Sequence, residues 1–218
     1  MAHELLNLLK SLNRKERFFL VGDALGNPEF ILSDNFQARL TEAIRIDIPP
    51  DAWVAMDYHL NWLSGALHMY HYIDRARWDQ PWSNWRTDGT QRINGNQQDV
   101  DLIVGFEEDG VVCLVLIEAK LDSPWTNSAF ESKAKRLKPI FEDANGKPRY
   151  KDVKPLFVIT SEREPRGLNT ESCPAWMTDG GKLRWMELNA NDARRQLRRV
   201  DSSGEQAVLR EARVLKAS

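Results

Sequence analysis

The sequence predicts an α/β protein: a mixed β-sheet flanked by helices, with a helical segment at the N-terminal end. Three observations predict it. Leu5, Leu6, Leu8, Leu9 and Leu12 recur near helical period. The stretch DVDLIVGFEEDGVVCLVLIEAKL, residues 99 to 121, reads as two apolar strands around Asp109-Gly110, a strong signal for a two-residue hairpin turn. A helical pattern and the apolar run KPLFVIT follow it, and strand, helix, strand implies a parallel crossover beside the antiparallel hairpin.

Taken in order, residues 3 to about 24 are expected to be helix, broken by Gly26-Asn27-Pro28. SDNFQARLTEAI opens with cap-type residues and spaces Phe36, Leu40 and Ile44 four apart, a second helix. Pro49-Pro50 stops the extended RIDIPP. Asp51 is expected to cap a long, largely buried helix, AWVAMDYHLNWLSGALHMYHYI, on which Asp57, Asn61, Ser64, His68 and His71 form one polar face. Residues 74 to 98 read as a loop. In SAFESKAKRL a Ser128-x-x-Glu131 capping box starts another helix, with the stripe Phe130, Ala134, Leu137 and Phe141, and Pro139 as its end or kink. Residues 154 to 160 and 182 to 188 read as strands, and NDARRQLRR, residues 191 to 199, as a basic helix. The division this suggests is a helical segment packed on the core, 1 to 48, and an α/β domain, 49 to 218.

The formal charge of -2 provides no global field toward nucleic acid, so any polyanion site must be a local patch. No run approaches the roughly 18 apolar residues of a membrane span, and MAHELLNLLKSLNRKERFF lacks the basic start and small-residue cleavage site of a signal peptide. Two cysteines, Cys113 and Cys173, make no disulfide framework, and Cys113 lies in the apolar strand as a small core residue. A soluble, reduced, cytoplasmic protein without a membrane partner is expected.

The hairpin carries the chemistry. A two-residue loop pairs Glu108 with Val111 and, counting back, sets Asp101 against Glu118. A four-residue loop sets Asp99 there instead. Either way one carboxylate meets another, and opposed like charges destabilise a strand pair. Glu118 and Lys120 project to one face, with Ala119 on the other. Such an acid pair needs protonation, a cation or solvent, and a hard divalent cation suits it. The alternative is that the strand simply leaves the core at Glu118, with Lys120 a solvated neighbour.

Asp101 at one strand, a hairpin, an apolar strand ending Glu118-Ala119-Lys120 and a following helix resemble the PD-(D/E)xK nucleases, the restriction-endonuclease-like superfamily, over residues 95 to 160. Val100 stands where that pattern has proline, and Asp99 competes with Asp101. The resemblance implies a restriction-endonuclease-like mixed sheet and hydrolysis of DNA phosphodiesters by a metal-activated water, with Mg²⁺ as the ion and Mn²⁺ as a substitute. Asp101 and Glu118 would be metal ligands and Lys120 the catalytic lysine. Asp57 is the first choice for the further acid such nucleases carry before the hairpin, with Glu42 second.

Lys133 and Arg136, three apart on the following helix, are the basic residues the resemblance would bring toward nucleic acid. In RARWDQPWSNWRTDGTQR, Trp82, Trp85 and Arg86 belong to an alternation of aromatic and basic residues suited to unpaired bases and phosphates. His68 and His71 lie one turn apart, without a third soft ligand in view. Expected partners are DNA, with RNA as an alternative, and a homodimer where two strands are cut. The competing reading is a non-catalytic nucleic-acid-binding module on the same fold. A third is an interaction protein with exposed hairpin acids.

Overall fold

The computed structural model describes residues 2–81, 83–86, 89, 91–92, 98–121, 123–171, 173–189, 197–200 and 214–217. The leucine-rich start forms two helices rather than one. α1 (Ala2–Leu12) buries Leu5, Leu8 and Leu9, and α2 (Glu16–Ala24) buries Phe18. Asn13 turns the chain between them, its Oδ1 accepting from the Lys15 amide at 3.2 Å. α3 (Asp34–Ile44) is capped by the Ser33 hydroxyl and buries Leu40 and Ile44, as its stripe predicts.

The long helix expected after Asp51 is two elements. Its first part is strand β1 (Trp53–His59), and only α4 (Leu60–Tyr72) is helix. A short apolar run such as AWVAMDY cannot be assigned by periodicity alone. Trp53, Val54 and Tyr58 suit a half-buried pleated strand, and pairing with a distant strand decides the matter. The polar face from Asp57 to His71 is therefore not one helical stripe, because Asp57 belongs to β1.

β2 (Asp99–Glu108) and β3 (Val111–Lys120) form the predicted hairpin. Asp109 and Gly110 take left-handed φ values of 50° and 79°, as a type I′ turn requires. The register runs from Glu108↔Val111 to Leu102↔Ile117. α5 (Asn127–Phe141) then crosses to β4 (Val153–Ser161), which lies parallel to β3. The Thr126 hydroxyl caps α5 by accepting from the Ala129 amide at 3.2 Å, in place of the Ser128–Glu131 box. Pro139 lies in the last turn, and the helix continues through it to Phe141.

β5 (Thr178–Asp179) and β6 (Lys182–Glu187) complete a six-stranded mixed sheet in the order β1-β2-β3-β4-β6-β5. Helices cover both faces. Val112, Leu114 and Leu116 of β3 pack in one cluster with α1, α4 and α5, while Cys113, Val115 and Ile117 pack in another with α3. Gly105 lets α1 approach β2: a Cβ there would lie 2.8 Å from Leu6 and 2.9 Å from Trp53.

The chain divides into units 1–188 and 189–218. In the second, β7 (Leu197–Val200) pairs antiparallel with β8 (Val214–Ala217). The end of the expected basic helix is thus strand, its backbone satisfied by that partner, while residues 191 to 196 lie outside the described residues. Among the described residues no helix is long and apolar enough to cross a membrane.

Candidate active site at the ends of β2 and β3

The ladder between β1 and β2 is interrupted at one position. Met56↔Leu102 and Tyr58↔Val100 pair, while Asp57 and Asp101 between them do not. Asp57 has a left-handed φ of 50°, a conformation that costs most residues about 1–2 kcal/mol and that Asp tolerates better than most. The strand changes face there: Val54 packs with the α3 cluster, whereas Ala55 and Tyr58 both pack with the opposite one. Local breaks of this kind re-aim side chains and gather at functional sites. Here the break brings an acid of β1 and an acid of β2 to the same level of the sheet.

On the other side of β2 the hairpin register ends at Leu102↔Ile117, so the next positions are Asp101 and Glu118. Asp101 is exposed, and its Oδ2 accepts from the Ala119 amide at 2.7 Å, tying the carboxylate to the β3 backbone. Glu118 is 6% exposed and forms a 2.6 Å ion pair with Lys133 of α5. Burial, acting first, pushes the Glu118 carboxyl up to about 7. Lys133 opposes the rise, the Asp101 charge adds to it, and Lys120 lowers it slightly. Burial outweighs even a short ion pair because the carboxylate loses most of its hydration.

The cations come from several elements. Lys133 also donates to the Asp99 carbonyl at 3.0 Å, and Lys15, from the α1–α2 turn, meets Asp99 Oδ2 at 2.5 Å. Asp99 Oδ1 is buried and has no hydrogen-bond partner among the described residues. Arg17 of α2 pairs with Asp57 at 3.1 Å. Lys120 Nζ lies 5.7 Å from the centroid of the Trp125 ring, a cation–π contact. Lys120 and Trp125 line a cavity of about 420 Å³ at the C-terminal ends of β3 and β4, together with Glu162, Arg163, Glu164 and Arg166. Ligands commonly enter α/β sheets at such strand ends.

The structure thus brings Asp101, Glu118, Lys120 and Lys133 together, with Asp57 across β2 on its own cation. Glu42 is exposed on α3, on the other face of the sheet. Arg136 is exposed and lines a narrow cleft with Arg86, Arg92, Asn61 and Gln98. Trp85 is 58% exposed, and Trp82 lies outside the described residues. His68 and His71 turn apart: His71 bridges the Leu67 carbonyl and Asp152, at 2.8 and 2.7 Å, while His68 stacks on Tyr72. Lys15, Arg17 and His59, the register partner of Asp99, went unnoticed in the sequence. NRKER carries two of them, but no spacing rule connects that turn to a hairpin some 85 residues away.

Among the described residues no three His, Cys, Asp or Glu side chains form a group that could hold a metal ion. The donors that do meet, Asp101 and Glu118, are hard carboxylate oxygens. Mg²⁺ is commonly held by one or two carboxylates, with waters and substrate phosphates filling its shell. The residues present therefore fit a two-carboxylate site, with Asp57 engaged by Arg17. No protein-family model, characterised protein or solved structure matches this chain.

Proposed function

We propose that this protein is a metal-dependent nuclease with a restriction-endonuclease-like sheet, hydrolysing phosphodiester bonds of DNA. The observation that carries the reading is the meeting of Asp101 and buried Glu118 at the end of two paired strands, with Lys120 and Lys133 beside them. Two acids and two lysines at the mouth of a mixed sheet are the parts that such hydrolysis uses.

Asp101 and Glu118 would hold a divalent cation, which when bound makes water a better nucleophile at neutral pH and offsets charge on the phosphate. The chain's own groups then have distinct tasks. The Ala119 amide fixes the Asp101 carboxylate. Lys133 keeps Glu118 oriented and favours its ionised form. Lys120, on the wall of the cavity, would donate to a phosphate oxygen as negative charge builds there. Lys133 thus serves the acid pair before any strand.

One observation favours the alternative, a non-catalytic nucleic-acid-binding module. Asp57, Asp99 and Glu118 each already have a protein cation, Arg17, Lys15 and Lys133. Such a site is tolerable without an ion.

Incubation with plasmid and single-stranded DNA, in Mg²⁺ or Mn²⁺ against a chelator, separates the two. Divalent-dependent cleavage, reduced at least a hundredfold in both Asp101→Asn and Lys120→Ala, is the expected result. Well-folded protein that binds DNA yet never cuts it would leave the binding module in its place.

A further inference from the structure

The end of the sheet opposite the acid pair holds a second, chemically different cavity. The starts of β3 and β4, the C-terminal end of α5 and a one-turn 3₁₀ helix, Ala175–Met177, border about 430 Å³ there. Cavities of this size suit small organic ligands. Three aromatic side chains, Phe141, Tyr150 and Trp176, line it together with Val111, Pro148 and Val153. Phe141 and Trp176 meet edge to face, with ring centroids 5.1 Å apart and planes at 65°. Two of the rings thus make a corner.

One acid lies among them. Glu142, the residue after α5, lines the same cavity and is 8% exposed. Among the described residues its carboxylate meets one cation, the half-exposed Lys138, at 3.9 Å, a separation too long for a hydrogen bond. A carboxylate so enclosed ordinarily has closer partners. The chain beside it is held in place without a ligand. Glu142 and Pro148 form an antiparallel bridge, and the Asp143 carboxylate accepts from the Asn145 and Lys147 amides at 2.8 and 2.9 Å. Lys151 and Lys154 also line the cavity, but both are exposed, and Lys154 pairs with Glu108 at 3.6 Å. These lysines can turn to solvent, whereas Glu142 is enclosed.

We propose that this cavity binds an organic cation whose charge sits on a methylated nitrogen, with Glu142 as its counter-ion and Phe141, Tyr150 and Trp176 around the methyl groups. Aromatic rings attract such cations, and boxes of several rings are their usual receptors. The count of donors favours methylation. A primary ammonium brings three N–H groups, whereas the described side chains lining the cavity offer acceptors only at Glu142 and the Tyr150 hydroxyl. A methylated nitrogen has fewer donors to satisfy, and its methyl groups cover apolar wall instead. The remainder of the ligand would lie against Val111, Pro148 and Val153. A free quaternary amine and a methylated lysine of a peptide share this chemistry. The cavity adjoins Val111, at the other end of β3 from Lys120, so the inference stands apart from the nuclease reading.

Isothermal titration calorimetry of the full chain tests it with four probes. They are choline, its neutral isostere with carbon in place of nitrogen, acetyl-trimethyllysine amide and the unmethylated acetyl-lysine amide. Saturable binding of choline or of the trimethyllysine probe is expected, with each uncharged or unmethylated counterpart about tenfold weaker. Glu142→Gln and Trp176→Ala should each weaken the methylated cation about tenfold. Tighter binding of the trimethyllysine probe assigns the site to a peptide side chain, and tighter binding of choline assigns it to a free amine. Wild-type protein that binds neither cation, or that binds the neutral isostere equally well, overturns the proposal. So does unchanged affinity in Glu142→Gln. Should Trp176→Ala fail to fold, the isostere comparison on the wild type and the shape-preserving Glu142→Gln still decide.

Discussion

Glu118 is a carboxyl group that the fold buries beside a second acid, and this has a consequence for stability. Its carboxyl is pushed up to about 7 from an ordinary 4.5, mainly by burial. Between those values the folded chain keeps a proton that the unfolded chain has released, so stability falls as pH rises through the window. Above about pH 7 the loss is complete and amounts to roughly 3 kcal/mol. Melting temperature should therefore decline by several degrees from pH 5 to pH 8 more steeply in the wild type than in Glu118→Gln. Parallel profiles would show that Glu118 is ionised throughout and adequately neutralised by Lys133. Residues such as Glu118, Lys120 and Asp101 were legible in the sequence because strand alternation and one turn fix their mutual position. Lys15 and Arg17 were not legible, since they reach the acids across a helix–sheet interface that no local pattern encodes.

At the level of elements, legibility followed the distance to the partner. The β2–β3 hairpin was readable because Asp109-Gly110 sets its register locally, and the structure keeps that register. β1 reads as helix in the sequence because its pairing partner, β2, begins 40 residues after β1 ends. The two glycines of β2 and its turn separate two kinds of constraint. Gly110 has open space around it and a φ of 79°, so Gly110→Ala should cost about 1–2 kcal/mol through backbone conformation alone. At Gly105, with Leu6 and Trp53 under 3 Å from an added Cβ, Gly105→Ala should cost about 1–3 kcal/mol by displacing α1. Urea denaturation of both variants measures this, and exchange of α1 amides should quicken in Gly105→Ala only. Equal exchange in the two would show that α1 does not depend on the close approach at Gly105.

For the molecule as a whole, the near-balanced charge is divided among local sites. Within residues 1–188 the sheet presents carboxylates with lysines at the ends of β2 and β3, while arginines gather around α4 and the start of β4. Mn²⁺ binding, followed by water-proton relaxation, tests whether Asp101 and Glu118 hold a divalent cation. The expected result is one saturable site that Mg²⁺ displaces, weakened at least tenfold in Asp101→Asn and in Glu118→Gln. Folded wild-type protein with no such site, or with one that both variants keep, would contradict it.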